Sequence, residues 1–154
     1  MIATSGPGAT NLVTGIATAY MDSIPMVAIT GNVAVELLGR DSFQEVDITG
    51  ITMPVTKHNF AVKRVEDLAD IIRRAFQIAQ SGRPGPVLID VPKDITASRC
   101  QYERQSPLPL SPSPRPEESR LAKAAEMLRQ SKRLFLYAGG GVIASGAAPE
   151  LLRF

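Results

Sequence analysis

Two short runs of continuous apolar residues constrain the fold of this chain more than any other feature of its sequence. Residues Ile24–Thr30 read IPMVAIT, and residues Pro86–Val91 read PVLIDV. Neither run alternates between apolar and polar side chains, and runs of this kind are typical of strands that are covered on both faces. The sequence therefore predicts two buried strands.

Stripes of apolar residues at helical spacing precede both runs. Ser81-Gly82 ends the second stripe, as expected at a helix C-terminus. Helices that alternate with buried strands predict an α/β fold, with a parallel sheet and flanking helices. The stripes are Leu12, Val13, Ile16, Ala19 and Tyr20, and then Leu68, Ile71, Ile72, Ala75, Phe76 and Ala79.

The connection between the first strand and the second helix is long. Residues 32–54 mix polar and acidic side chains with isolated apolar ones. A connection of this length favours a functional loop that contains short helical turns. At the start of the chain, Met1-Ile2-Ala3 has the character of a strand's last residues.

A proline-rich segment divides the chain. Between Gln105 and Pro116 there are five prolines and three serines, and this density of proline is incompatible with a helix or a central strand. We interpret residues 103–116 as a linker between residues 1–102 and a second α/β domain in residues 117–154.

The second domain is expected to be incomplete. A helix is predicted from Glu117, a strand at Arg133–Ala138, and a further helix from Ala147. One strand and about one and a half helices bury too little surface for a core of their own. Both ends of the chain are therefore expected to be cut from a longer protein.

Composition and charge exclude several classes of function. The 17 basic and 15 acidic residues are interspersed and give a formal net charge of +2, so no nucleic-acid partner is indicated. No apolar run approaches the roughly 20 residues that span a bilayer, and the first residues lack the charged region and apolar core expected of a signal peptide, so we expect no membrane partner. The single cysteine, Cys100, cannot form an internal disulfide, and no residues have metal-ligand spacing. These features predict a cytoplasmic protein without metal ligands of its own.

A glycine-rich bend, TSGPGATN, lies at Thr4–Asn11 ahead of the first helical stripe. A bend at a helix N-terminus can hold an anion. This motif, however, lacks the Gly-Lys-Ser/Thr ending of a P-loop and the GxGxxG spacing of dinucleotide sites. The residues alone leave open an active-site bend or a tight turn in which Asn11 satisfies local backbone groups.

Five motifs occur in one order along the chain, namely TSGPGATNLVTGIATAYMDSIPMVAITG, GRDSFQEVDITGIT, TKHN, SGRPGPVLIDVPKDIT and YAGGGV. Together they resemble the catalytic large subunit of acetohydroxyacid synthase, also called acetolactate synthase, over essentially the whole chain. The resemblance identifies residues 1–102 as the C-terminal part of a pyrimidine-binding domain and residues 117–154 as the start of a central FAD-binding domain.

The resemblance implies a thiamine-diphosphate-dependent carboligase, a transferase of branched-chain amino-acid biosynthesis. Such an enzyme condenses pyruvate with a second 2-keto acid, such as 2-ketobutyrate, through hydroxyethyl-thiamine diphosphate. It implies thiamine diphosphate, Mg²⁺ and FAD as cofactors, a homodimer or homotetramer of large subunits, and in some cases a regulatory small subunit. Two alternatives stay open. One is another thiamine-diphosphate enzyme, such as glyoxylate carboligase or pyruvate oxidase, and the other is a non-catalytic binding or assembly module.

Site residues follow from the resemblance. Gln44 is implied to be catalytic, because an amide can donate to a keto-acid oxygen without changing the charge of the site. Its alternative is an ordinary solvated glutamine, and Phe43 has the alternative of anchoring its loop in the core. The wall facing cofactor and substrate is implied to consist of Gly6, Pro7, Gly8, Asn11, Phe43 and Lys93.

FAD contacts are implied for Arg83 and for the glycine run. A guanidinium suits a phosphate or flavin oxygen, and glycines permit a close approach of the backbone. The alternatives are a surface arginine and a plain turn. The lone histidine, His58, is expected to be structural and to lie on a loop. The glycines are Gly139, Gly140 and Gly141.

The resemblance also implies which groups this chain lacks. The family's glutamate that activates the cofactor would precede Met1, and its segment that binds Mg²⁺ and diphosphate would follow Phe154. We therefore expect the chain alone to be inactive.

Overall fold

The computed structural model describes residues 1–110, 112 and 114–154. These residues form two compact units, Met1–Ser111 and Pro112–Phe154. Two residues of the predicted linker, Ser111 and Ser113, lie outside the described residues.

Within its described residues, the first unit is built on a four-stranded parallel sheet with strand order β1-β2-β4-β3. Strands β2 and β4 pair along their whole length, from Met26 beside Pro86 to Asn32 beside Pro92. The two predicted apolar runs are thus neighbouring central strands, and the predicted α/β fold with a parallel sheet is confirmed. The strands are β1 (Ile2–Ala3), β2 (Met26–Asn32), β3 (His58–Ala61) and β4 (Pro86–Pro92).

Helices α2 and α4 are those expected from the two apolar stripes. The long connection after β2 contains two 3₁₀ turns, Val35–Leu37 and Met53–Val55, so the prediction of a loop with short helical turns is confirmed. The helices of this unit are α1 (Pro7–Thr10), α2 (Val13–Met21), α3 (Ile48–Thr52), α4 (Val65–Gln80) and α5 (Lys93–Ala97).

The core of this unit lies on both faces of the sheet. On one face, Ile16 of α2 and Ile48 of α3 cluster with Leu88. On the other face, Ala75 and Ala79 of α4 cluster with Val87, Ile89 and Val91. Because successive side chains of a strand point to opposite faces, a strand that is covered on both faces has apolar residues at most positions. This is why β4 is apolar except at Asp90, and all of its residues are buried.

The edge strand β3 was not predicted, and the expectation that His58 lies on a loop is wrong. His58 is the first residue of β3, and its ring packs edge-on against Phe60, with 4.3 Å between the ring centroids. Only Phe60 of the four strand residues is buried, so the local sequence has no strand-like run. Pairing with β4 supplies the missing stabilisation.

The second unit contains α6 (Glu118–Gln130), α7 (Gly140–Ala144) and α8 (Ala148–Arg153). Helices α6 and α8 match the predicted helices, but the predicted strand at Arg133–Ala138 is wrong. Those residues have no strand structure, and Phe135 and Tyr137 are 84% and 93% exposed. A strand requires a neighbour for its main-chain hydrogen bonds, and the described part of this unit contains no strand that could pair with it.

Candidate functional site

Three chain segments with predicted site residues leave the sheet at the same edge. Because the strands are parallel, their carboxyl ends lie together. There β1 leads into the glycine-rich bend, β2 into the long connection, and β4 into Lys93 at the start of α5. Open α/β sheets bind their ligands outside this edge. It is therefore the candidate site.

The bend is a strand-to-helix turn that is closed by main-chain hydrogen bonds. Gly6 is buried and has a φ of +57°, a conformation that glycine adopts without steric cost. The N–H of Thr10 donates to the oxygen of Gly6 at 3.0 Å, and the N–H of Asn11 donates to the oxygen of Pro7 at 3.1 Å. Asn11 therefore helps to close the bend through its backbone, while the residue itself is exposed.

Gly6 lies directly against Gln44. A Cβ built on Gly6 would lie 2.7 Å from the main-chain oxygen of Gln44 and 3.0 Å from its Cβ. A Cβ on Gly8 would lie 2.6 Å from Cγ2 of Thr4. At both glycines, the atoms nearest to the added Cβ belong to this chain. The structure thus brings the predicted catalytic residue, Gln44, against Gly6 of the predicted wall.

The loop Leu37–Glu45 carries Phe43 and Gln44. Gln44 has a φ of +59°, which is uncommon for a residue other than glycine. Phe43 is 88% exposed, so the alternative in which it anchors the loop in the core is wrong. The loop therefore presents an apolar ring and an amide to solvent beside the bend.

The carboxylate of Glu45 organises this loop. It accepts the main-chain N–H groups of Ser42, at 2.8 Å, and of Gly39. These hydrogen bonds, that from Ser42 first, hold the pKa of Glu45 below its ordinary value. Sequence analysis did not single out Glu45, since hydrogen bonds between a side chain and nearby main-chain groups leave no periodic pattern.

Asp90 is the centre of a buried polar cluster in the central strands. Oγ1 of Thr30 donates to Oδ1 of Asp90 at 2.7 Å, and Nδ2 of Asn32 donates to Oδ2 at 2.6 Å. Burial raises the pKa of Asp90 above its ordinary value, although both hydrogen bonds oppose that shift. Oδ1 of Asn32 also accepts the N–H of Val33 at 2.8 Å. The cluster thereby fixes the point at which the chain leaves β2.

This cluster was not predicted, although the sequence contains one signal for it. Asp90 is the single acidic residue within the apolar run PVLIDV. A charged residue is seldom buried without partners. Its presence in a buried strand therefore called for polar partners on the neighbouring strand.

Lys93 lies at the same edge of the sheet as the bend. It is the first residue of α5 and is exposed. The next residue, Asp94, accepts the N–H of Val35 at 3.1 Å through Oδ1. This hydrogen bond ties α5 to the connection after β2, and so holds Lys93 near the segment that leads to Gln44.

Arg83 lies at the other edge of the sheet, before the amino end of β4. Its guanidinium donates to Oγ of Ser23 at 2.7 Å and to the main-chain oxygens of Met21 and Tyr20 at 3.1 and 3.4 Å. Arg83 therefore caps the C-terminus of α2. The FAD contact expected of it stays a prediction.

The glycine run lies in the second unit. Gly139 is the N-cap of α7, and Gly140 and Gly141 are its first two residues. A Cβ on any of the three would meet no described atom within 4 Å. In this unit the glycines form the start of a short helix, and their proposed approach to FAD stays a prediction.

A groove of about 750 Å³ runs between α4 and residues 100–110. It contains none of the predicted site residues. Its apolar lining includes Leu68, Ile72, Phe76, Tyr102, Leu108 and Leu110.

Two kinds of feature are absent from the part of the chain that the structure describes. None of its helices has both the length and the apolar character that crossing a membrane requires. Its histidine, cysteine and acidic side chains form no group of three or more that could hold a metal ion.

Comparisons with known proteins identify relatives over almost the whole chain. Residues 1–51 match the family model of the thiamine pyrophosphate enzyme N-terminal TPP binding domain. A probable acetolactate synthase large subunit from Methanocaldococcus jannaschii is 50% identical over an alignment of 159 residues. The alignment covers 99% of this chain and 27% of that protein. The acetolactate synthase of Mycobacterium leprae is 50% identical over 155 residues, covering 99% of this chain and 25% of that protein.

A third relative has the same coverage. The acetolactate synthase large subunit of Corynebacterium glutamicum is 50% identical over 156 residues, which cover 99% of this chain and 25% of that protein. The chain thus spans about a quarter of the length of these relatives. These similarities confirm the family resemblance that the five motifs indicated.

Proposed function

We propose that this chain, which corresponds in sequence to part of an acetolactate synthase large subunit, forms one wall of a 2-keto acid carboligation site. The observation that carries the proposal is the contact between Gly6 and Gln44. Two segments that are far apart in the chain meet there at the carboxyl edge of a parallel sheet, where ligands of such sheets bind. The proposed reaction is the condensation of pyruvate with a second 2-keto acid.

Thiamine diphosphate is the cofactor named by the matched family. The exposed residues around Gly6 fit one side of such a group, since they combine the apolar surfaces of Pro7 and Phe43 with the amides of Asn11 and Gln44. When bound, thiamine diphosphate supplies the electron sink for decarboxylation. Mg²⁺ and FAD complete the proposed cofactor set, with Arg83 and the glycine run Gly139–Gly141 proposed as FAD contacts.

The residues of the wall would act mainly by binding and orientation. The Gln44 amide would donate a hydrogen bond to an oxygen of the keto acid, and it carries no charge that would oppose developing negative charge. The ammonium of Lys93 would attract the substrate carboxylate. Phe43 would cover the reacting groups and reduce their contact with water.

The proposed partners follow from the same similarity. They are pyruvate and 2-ketobutyrate as substrates, further large subunits in a homodimer or homotetramer, and a regulatory small subunit. The proposed compartment is the cytoplasm.

Nuclear magnetic resonance can test the proposed function directly. In the ¹⁵N-labelled chain, adding pyruvate with thiamine diphosphate should shift the amide resonances of Gly6, Gln44 and Lys93 more than those of residues around Arg83. Gln44→Ala should reduce the response at Gly6. No shift at these positions with millimolar pyruvate would contradict the proposal, as would equal shifts at Arg83.

A second candidate function is a non-catalytic assembly module. It is favoured by the large apolar side chains that the second unit exposes. Size-exclusion chromatography with an intact acetolactate synthase large subunit would test it, because specific co-elution that Phe135→Ser weakens supports the module. Aggregation without co-elution would contradict it. The exposed side chains include Met127, Phe135, Tyr137, Ile143 and Leu152.

A further inference from the structure

One side chain closes the loop Leu37–Glu45 at several points. One carboxylate oxygen of Glu45 accepts the N–H of Gly39, and the other accepts the N–H of Ser42 at 2.8 Å. The N–H of Glu45 in turn donates to the main-chain oxygen of Ser42 at 2.9 Å. The hydroxyl of Ser42 donates to the oxygen of Leu37 at 3.3 Å. The carboxylate therefore connects the middle of the loop with its end.

Gln44, the residue before Glu45, has a backbone conformation that needs support. Its φ of +59° is left-handed, and for a residue with a side chain such a conformation persists only where its surroundings determine it. Two contacts determine it here. Gly6 lies against the main-chain oxygen of Gln44 on one side, and Glu45 holds the loop on the other.

We propose that Glu45 is a positioning residue, whose carboxylate keeps the loop closed so that Gln44 stays against Gly6. Hydrogen bonds from main-chain N–H groups to a carboxylate are stronger than those between neutral groups. A single ionised side chain can therefore fix a loop that has few apolar contacts of its own. That Gln44 then faces a 2-keto acid rests on the proposed function, whereas the role of Glu45 in the loop rests on the contacts alone.

The role is local, because no residue of the loop Leu37–Glu45 belongs to either of the two apolar clusters that form the core. Removing its carboxylate should open the loop without unfolding the sheet. If Glu45 merely contributed to overall stability, its removal would instead make every protected amide exchange faster.

Amide hydrogen exchange of the full 154-residue chain separates these two roles. In Glu45→Ala, exchange at Gly39 and Ser42 should be about tenfold faster or more, because each amide loses a charge-assisted hydrogen bond. In Glu45→Gln, which keeps one accepting oxygen, the increase should be smaller. The matched control is Glu36→Gln, which changes an exposed glutamate of the same connection and should leave both amides as they are.

Two further signals complete the experiment. The ¹³Cα shift of Gln44 should move toward its disordered value in Glu45→Ala, while exchange at Val87 in β4 should increase by a much smaller factor than exchange in the loop. The proposal is wrong if Gly39, Ser42 and Gln44 do not respond. It is also wrong if Val87 exchanges faster by the same factor as the loop.

Titration with pyruvate in the presence of thiamine diphosphate separates this proposal from the proposed function. If pyruvate shifts the Gln44 amide in the unmodified chain, Glu45→Ala should weaken that response. If pyruvate shifts nothing in the unmodified chain, the proposed function fails, and the exchange data still decide whether Glu45 positions the loop.

Discussion

Gly6 is the residue at which one added carbon would most disturb the candidate site. Gly6→Ala combines a left-handed backbone with a Cβ that lies 2.7 Å from the main-chain oxygen of Gln44. We expect the free energy of unfolding to fall by about 2–4 kcal/mol, because strain and overpacking both contribute. Urea unfolding followed by circular dichroism would measure the loss.

The matched control for this substitution is Gly82→Ala. Gly82 has a similar φ of +54°, but a Cβ there would meet no described atom within 4 Å. Gly82→Ala should lower the free energy of unfolding only by the cost of the left-handed backbone conformation, about 1–2 kcal/mol. If the two variants lose the same free energy of unfolding, the close approach of Gly6 to Gln44 does not contribute to the effect of Gly6→Ala.

The glutamate next to Gln44 illustrates a limit of sequence reasoning at this scale. The resemblance identified Gln44 and Phe43, while Glu45 emerged only from the hydrogen bonds of the folded loop. The spacing of residues indicates which face they share, but it does not show which main-chain groups a side chain reaches.

At the scale of elements, two cations satisfy the carbonyl groups at helix C-termini. Nζ of Lys57 donates to the oxygen of Ser81 at 2.6 Å and to that of Ile78, at the end of α4. Arg83 does the same for α2. A cation at this end of a helix also interacts favourably with the helix dipole. These contacts orient both helices that cover the sheet.

Arg83→Ala should therefore destabilise the chain even when no FAD is present. We expect a loss of about 1–2 kcal/mol in the free energy of unfolding, since hydrogen bonds to a charged donor are lost at a partly solvated site. Arg83→Lys should recover part of it, because an ammonium lacks the planar fork of the guanidinium. Thermal unfolding of the chain without added FAD would show both effects.

The control for Arg83 is another exposed arginine, Arg99. Arg99→Ala should change stability by less than about 0.5 kcal/mol. If Arg83→Ala also changes stability by so little, the hydrogen bonds of Arg83 to α2 do not stabilise the chain. FAD binding would then be the better explanation for this residue.

The central strands carry a titratable group with an unusual effect on stability. Because the pKa of Asp90 is raised in the folded chain, the folded state holds this proton more tightly than the unfolded state does. The contribution of Asp90 to stability is therefore greatest below its ordinary pKa of 3.8 and decreases as the pH rises through its folded pKa.

Asp90→Asn should remove this dependence. Asparagine can still accept from Asn32 and can donate to Oγ1 of Thr30, so the strands should remain paired. We expect the stability of the variant relative to the unmodified chain to increase from acid to neutral pH. Urea unfolding across that range would measure the difference.

The stability contributions of two other carboxylates have the opposite pH dependence. Their effect cancels when Asp90→Asn is compared with the unmodified chain. Glu45 and Asp47 have lowered pKa values through hydrogen bonds from main-chain N–H groups, so their contributions are lost as the pH falls. Both residues are present in the two proteins. A difference that does not vary with pH would contradict the burial of an ionisable Asp90.

At the scale of the whole molecule, we expect no carboligase activity from the chain alone. The family resemblance implies that the glutamate that activates thiamine diphosphate and the segment that binds its diphosphate with Mg²⁺ are not among these 154 residues. Without the first, the cofactor would not be activated, and without the second it would be held weakly.

A pyruvate consumption assay with thiamine diphosphate, Mg²⁺ and FAD tests this expectation. The positive control is an intact acetolactate synthase large subunit, such as that of Corynebacterium glutamicum. Turnover of the chain above the rate of the buffer would contradict the prediction and would place every necessary group within these residues.

The parts of the fold that could be predicted are those with a strong local pattern. The runs that became β2 and β4 are apolar because side chains pack against both of their faces, and the stripe of α4 is apolar because one of its faces packs on the sheet. Strand β3 escaped prediction because only Phe60 within it is buried. The strand predicted at Arg133–Ala138 failed because an apolar run becomes a strand only when another strand pairs with it.

The sequence by itself determined the parallel α/β fold and the order of its main elements, because both depend on the spacing of apolar residues along the chain. Its five motifs carried the family resemblance. Only the tertiary structure decided that Gly6 meets Gln44, that Glu45 closes the neighbouring loop and that Asp90 bonds to Thr30 and Asn32. These contacts join main-chain and side-chain groups through folding geometry, and local spacing carries no record of them.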